Sequence, residues 1–319
     1  MKVLVLGGAG YIGSVVARFV LQADHQVTVL DDLSTGHRDA VPADADFVQG
    51  DISTAGDVFG KGSYDAVIHL AAKSLVGESV VNPSRYWHTN VEGSRALLDA
   101  MTEHGVPRLV FSSTAATYGE PDEVPITEDF PTRPTNTYGA TKLAVDMMIT
   151  GECAATDLAA VSLRYFNVAG AALGAGERHG TETHLIPIAL EAVLGKRDKL
   201  TIYGDDWPTP DGTPLRDYVH VADLARAHVL ALTAAHPGEH LICNLGNGNG
   251  FSVRDVMSAI EKVTGMEVPH AVGPRRAGDP ARLVASAARA KDRLGWEPEL
   301  DLTAMVSDAW KFTQARFAH

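Results

Sequence analysis

The chain has 319 residues, 45% of them hydrophobic and 21% charged, ordinary proportions for a globular protein long enough for two domains or one large one. A net charge of −13 argues against a nucleic-acid backbone as partner, because no basic face is available to release counterions, yet it leaves room for one or two arginines placed on a small anion. Two distant cysteines fit a reduced cytoplasmic setting, no apolar run reaches membrane-span length, and the thirteen histidines are scattered, the one i,i+4 pair, His236 and His240, being broken by Pro237 and Gly238. No metal, no membrane and no secretory leader are therefore expected.

Short apolar runs punctuate the first half in order: "KVLVLG" (2–7), "QVTVLD" (26–31), "DFVQGD" (46–51), "DAVIHLAA" (65–72), "RLVFSST" (108–114) and "AAVSLRYFN" (159–167). Each is bounded by Gly, Asp or Asn, and the spacers are long enough for crossover helices. Near-continuous apolar strands suit a parallel sheet covered on both faces, and the alternation predicts a doubly wound α/β fold of the Rossmann type. Beyond Asn167 the alternation stops. Residues 168–216 are rich in Gly, Pro and Thr, with one helix candidate at 185–195. Strand-like "HLICNLG" (240–246) and a helix after "FSVRDV" follow. The reading is a dinucleotide-binding domain over 1–167 and a smaller substrate-binding region over 168–319, partly interleaved with it.

The stretch "GGAGYIG" places Gly7, Gly10 and Gly13 directly after the first strand and before a helix pattern. Such glycines let the backbone turn tightly and approach a pyrophosphate at the helix N-terminus, so a dinucleotide site is expected. Asp31 ends the second strand, where an acid hydrogen-bonds ribose hydroxyls and repels a 2′-phosphate, which selects NAD over NADP. A turn or N-cap role for Asp31 is the competing explanation, and neighbouring Asp32 leaves the choice between the two acids open. Asp51 after the third strand either meets the adenine edge or is only a turn acid.

Within "NTYGATKLAVD", Tyr138 and Lys142 lie four residues apart on one helix face, and Thr114 ends the fifth strand. The pair is either an ordinary surface i,i+4 neighbourhood or a base with the cation that tunes it. A phenol of pKa near 10 is a poor base at neutral pH, and lowering it by about 3 corresponds to roughly 4 kcal/mol, which a nearby ammonium could supply. With Thr114 on the same substrate oxygen, the three could take a proton from an alcohol as a hydride leaves its carbon.

These motifs resemble the extended short-chain dehydrogenase/reductase family. The ordered series "AVIHLAA", "VGESVVNPSRYWHTNVEGS", "VFSSTAATYG", "PTNTYGATKLAVD", "SLRYFNVAGA", "YGDDWPTPDGTPLRDYVHV", "CNLGNGNG" and "PRRAGDPARLVA" spans nearly the whole chain and is similar, within that family, to the UDP-glucose (UDP-galactose) 4-epimerases. The resemblance implies that Tyr138 takes the proton of the sugar 4-hydroxyl, that C4 gives its hydride to tightly held NAD, and that the 4-keto sugar swings and recovers the hydride on its other face. It implies a cofactor set of Tyr11, Ile12, Asp31, Asp51, Ile52, Leu70, Ala71, Tyr138, Lys142 and Phe166 beside the three glycines, and a catalytic set of Thr114, Tyr138 and Lys142. For the UDP-hexose it implies Thr114, Tyr138, Asn167, Leu185, Tyr203, Arg216, Arg276 and Asp279, with Leu283 gating the sugar 2-substituent. Leucine at 283 leaves room for N-acetylated UDP-hexosamines.

Departures from the family pattern are few. Thr114 replaces a frequent serine and keeps the hydroxyl. The family's lysine after the fourth strand falls at Ser74, with Lys73 one place earlier. A 4,6-dehydratase is disfavoured, because Ala115 and Ala116 stand where that family carries an acid pair. Alternatives are a 4-epimerase of UDP-glucuronate or a UDP-pentose and a non-catalytic NAD sensor. The resemblance also implies a homodimer through helices near 84–104 and 140–155.

Overall fold

A computed structural model describes residues 1–276 and 279–317. Six of its strands match the apolar runs of the first half: β1 (Lys2–Leu6), β2 (Gln26–Asp31), β3 (Asp46–Gln49), β4 (Ala66–His69), β5 (Arg108–Thr114) and β6 (Ala159–Tyr165). A seventh, β7 (His240–Leu245), comes from the C-terminal half and completes one parallel sheet in the order β7-β6-β5-β4-β1-β2-β3. The strand order reverses at β1, which lies between β2 and β4. Ligands bind at that kind of switch point, beyond the carboxyl ends of the strands.

The period of two along each strand sorts the apolar residues into two layers. Val3, Val5, Val29, Ile68 and Val161 face α1 (Tyr11–Gln22) and its neighbours. Leu4, Leu6, Leu30, Val67 and Phe111 face α2 (Gly93–His104) and α3 (Thr137–Ala155). Each fully buried Val or Leu contributes about 1.5–3 kcal/mol of transfer free energy, so these two layers dominate the stability of the fold. A third cluster joins α4 (Leu185–Val193), the helix Val253–Thr264 and the C-terminal helix Leu302–Phe317 around Ile186, Ile202, Ile260 and Met305. A helix over Val221–Ala231 sends Leu224 and Ala227 to the first layer, so β7 and this helix bind the C-terminal half to the main sheet.

One buried histidine makes this core sensitive to acid. His69 ends β4 at 2% exposure, with Nε2 2.9 Å from Ser94 Oγ and Nδ1 without a partner. Burial, helped by the Lys142 charge, lowers its imidazole to about 3. The unfolded imidazole titrates near 6.5, so between pH 6.5 and 3 the unfolded chain binds the extra proton and stability falls as the pH falls. His69 alone should cost about 2 kcal/mol on going from pH 7 to pH 5. Urea midpoints at the two pH values should show His69→Asn losing that much less than the unaltered chain. Equal losses would show that the folded state holds His69 protonated.

Candidate active site

The carboxyl ends of β1 to β6 open into one cleft of about 1090 Å3, and nearly every candidate residue lines it. At one end the turn after β1 brings Gly7, Gly10, Tyr11, Ile12 and Gly13 to the wall. A Cβ on Gly13 would lie 2.0 Å from the carbonyl oxygen of Gly7, so only glycine lets the helix start fold back on the turn. Asp31 holds this turn in place. Its Oδ2 accepts from Ala9 N at 2.9 Å and its Oδ1 from Leu33 N at 2.8 Å, while burial raises the carboxyl above its ordinary range against these bonds. The turn role and the cleft role of Asp31 therefore coexist, because each carboxylate oxygen keeps a lone pair free.

Asp51 likewise caps a short helical turn through Ser53 N at 2.9 Å and faces the cleft beside Ile52. Leu70, Ala71 and Phe166 line the floor. Lys73 and Ser74 both reach the lining, and Lys73 Nζ donates to Ser34 Oγ at 3.0 Å. These residues fit a dinucleotide: a glycine turn cramped enough to exclude any Cβ, a helix N-terminus for phosphate, and an acid at the end of β2.

The centre of the cleft is built by the start of α3. Asn136 caps the helix by accepting from Gly139 N at 2.9 Å, and a Cβ on Gly139 would lie 2.4 Å from the carbonyl oxygen of Ala116. This close approach sets Tyr138 beside Thr114 at the end of β5, and both line the cleft. Lys142, one turn further along, is 3% exposed and donates from Nζ to the Ser112 carbonyl at 2.7 Å, with Phe111 below at 4.7 Å. The titration directions differ from the sequence expectation of a phenol lowered by its lysine. Burial raises the Tyr138 phenol to about 12, partly offset by the Thr114 hydroxyl, and burial lowers Lys142 to about 7, partly offset by Asp146. Desolvation is the largest cause for both groups, and spacing in sequence carries no information about burial.

The far wall comes from a three-stranded piece in which Leu215–Arg216 pairs with Phe251–Ser252 on one side and Arg282–Leu283 on the other. The register sets Leu283 directly beside Arg216. Asp217 anchors the piece by accepting from Asn247, Gly248 and Ala285 N at 2.6, 3.1 and 2.9 Å. Asn167, Arg216, Arg276, Asp279 and Leu283 all reach the cleft, and Arg216 stands 3.9 Å from Asp279.

Two expected residues do not line it. Leu185 packs against the third hydrophobic cluster, because the helix that begins there turns its first residue inward. Tyr203 is 41% exposed and carries the Arg276 guanidinium 4.4 Å above its ring. Sequence reasoning missed Tyr165, which lines the cleft with its hydroxyl on Ser112 Oγ, although its place at the end of β6 was a signal.

The sequence reading expects no metal site, yet the fold gathers four side chains of metal-ligating type. Glu177, His179, Glu182 and His184 converge in one loop of the cleft wall. Helical spacing does not detect a turn whose pattern is Glu-x-His-x-x-Glu-x-His. Hydrogen bonds to Glu177 and Glu182 raise His179 to about 9. Burial pulls His184 down, but the same two acids carry it to about 10.

A sheet of this order, with a glycine turn on β1, an acid ending β2 and a Tyr–Lys helix over the fifth strand, defines a nicotinamide-dependent Rossmann protein of the short-chain dehydrogenase/reductase kind. The model of the NAD dependent epimerase/dehydratase family matches residues 3–246, and the chain belongs to that family. It is 58% identical over 317 residues to the UDP-glucose 4-epimerase of Corynebacterium glutamicum, covering 99% of this chain and 96% of the relative. Two solved structures align closely. The UDP-glucose 4-epimerase of Brucella ovis in complex with NAD gives a TM-score of 0.93 at 45% identity, with 97% of each chain covered. That of Bifidobacterium longum in complex with NAD+ and UDP gives 0.94 at 35% identity, covering 100% of this chain and 99% of that one.

Proposed function

We propose that the protein interconverts UDP-galactose and UDP-glucose at C4 with NAD held in the glycine-turn end of the cleft. The observation that carries the reading is that Thr114, Tyr138 and Lys142, the glycine turn, Arg216 and Arg276 all line a single cleft. Bound NAD supplies the hydride acceptor and a cationic ring that favours the phenolate. Tyr138 takes the 4-hydroxyl proton and later returns it, Thr114 hydrogen-bonds the same oxygen, and Lys142 stabilises the phenolate and the cofactor ribose. Arg216 and Arg276 neutralise the diphosphate, as charge-assisted pairs do even in a protein of negative net charge. Asn167 and Asp279 position the uridine side. Tyr203 and Leu185 act at one remove, Tyr203 by stacking under Arg276 and Leu185 by seating the start of its helix.

In this reading residues 1–167 are the NAD-binding part and 168–319 the UDP-sugar-binding part. Leu283 beside Arg216 leaves space at the sugar 2-position, so UDP-GalNAc and UDP-GlcNAc are substrates too. Met147 on α3 and Trp87 before α2, 67% and 41% exposed, support a homodimer through these helices. The two buried free cysteines and the absence, among the described residues, of a helix able to cross a membrane are consistent with a cytoplasmic setting.

The test is proton NMR of the purified protein with UDP-galactose and no added NAD, then with UDP-GalNAc. Appearance of UDP-glucose is the expected result and establishes resident NAD at the same time. Unchanged anomeric signals would move the reading to UDP-glucuronate or UDP-arabinose, and failure with those would leave an NAD sensor.

A further inference from the structure

The loop that leads into α4 gathers four metal-ligating side chains within eight residues, and one ligand atom from each lies within 4.8 Å of all the others. His184 Nδ1 stands 2.5 Å from Glu177 Oε1 and 3.1 Å from Glu182 Oε1. His179 Nδ1 stands 2.9 Å from the same Glu177 oxygen and 3.7 Å from Glu182 Oε2. Both carboxylate side chains are nearly covered, at 8% and 6% exposure. His179 Nδ1 is buried and faces the two carboxylates. Two covered carboxylates this close repel unless positive charge lies between them. Both imidazoles turn the same ring nitrogen toward one carboxylate oxygen, which is how ligands surround a cation.

We propose that Glu177, His179, Glu182 and His184 form a four-ligand site for a divalent zinc ion. Two imidazole nitrogens and two carboxylate oxygens suit Zn2+, whereas Mg2+ and Ca2+ take six or more oxygens and a thiolate-free set does not favour Cu(I). Bonds of about 2.0–2.2 Å in a tetrahedron put ligand atoms roughly 3.4 Å apart, which lies inside the observed spread, so side-chain rotations alone close the site. Glu182 is already oriented, since its Oε1 accepts from Thr183 N and His184 N at 2.8 Å each. All four ligands come from one loop with no position left for substrate, which marks the site as structural. The loop is also moored to the cofactor end of the cleft. Arg178 pairs with Asp39 at 2.8 Å, and the Tyr11 hydroxyl donates to the Gly170 carbonyl at 2.6 Å. Bound zinc would therefore stiffen the wall between the two halves of the cleft.

The site stands independently of the epimerase reading, and its test needs no sugar nucleotide. The protein with its own cofactor is stripped with a chelator and titrated with zinc chloride against a chromophoric competitor. One zinc per chain and a higher melting temperature are expected. The His179→Asn/His184→Asn double variant should bind at least tenfold more weakly. Cobalt chloride added to the unaltered protein gives a second readout that needs no variant, namely intense visible bands of tetrahedral coordination. No stoichiometric zinc, equal zinc affinity in the double variant, or the pale spectrum of octahedral cobalt would each overturn the proposal.

Discussion

Tyr138→Phe should reduce the rate of UDP-galactose epimerisation by about a hundredfold to ten-thousandfold, the range a positioned general base contributes. The change removes one oxygen and keeps the ring, so the start of α3 retains its Asn136 cap and the close approach of Gly139 to Ala116. NAD released on denaturation should match the unaltered protein, which separates lost chemistry from lost cofactor. The phenol is held near 12 in the protein alone, so its proton affinity must fall for it to act near neutral pH, and only a group with that oxygen can respond. Tyr11 and Tyr165 also bring phenols to the lining, but their hydroxyls are committed to the Gly170 carbonyl and to Ser112. A Tyr138→Phe variant within tenfold of the unaltered rate would transfer the role of base to Tyr165 or to water and end the present assignment.

How far the sequence reaches depends on which physical signal each feature uses. The strands of the first half were readable because buried parallel strands are nearly continuous apolar runs, and β1 to β6 fall within the expected segments. The strand at 240–245 was readable as a strand but not as a member of the main sheet. Its partner β6 lies about eighty residues earlier, and local pattern says nothing about that pairing. Tyr138, Lys142 and the glycine turn were legible because helix spacing and strand–turn–helix order are local. The register that sets Leu283 against Arg216 is a contact between distant segments. The Glu177–His184 loop was missed because turns have no fixed period. The raised phenol of Tyr138 was not legible because burial, its largest cause, is a property of the assembled fold.

The same dependence on assembly makes Asp146 the residue whose loss should cost the most stability. It follows Tyr138 and Lys142 by further turns of α3, and its side chain is 3% exposed against 4% for Arg164. Asp146 Oδ2 accepts from Arg164 Nε at 3.0 Å, from a terminal Arg164 nitrogen at 2.8 Å and from Ser113 Oγ at 3.1 Å. The other terminal nitrogen donates to the Tyr118 hydroxyl at 3.1 Å, which in turn donates to Asn244 Oδ1 at 2.8 Å in β7.

Asp146→Ala would leave the guanidinium buried and unpaired, at a cost of about 3–5 kcal/mol. That is a large part of the 5–15 kcal/mol typical of a folded protein. Urea unfolding should show the midpoint falling accordingly. Asp146→Leu combined with Arg164→Met should recover most of the loss, because packed apolar pairs replace a buried ion pair at little net cost. If the double variant were as unstable as Asp146→Ala, the network and not charge pairing would carry the stability. If it recovered, the ion pair contributes little net stability, and its remaining consequence is to hold α3, and with it Tyr138 and Lys142, in one register over β5 and β6.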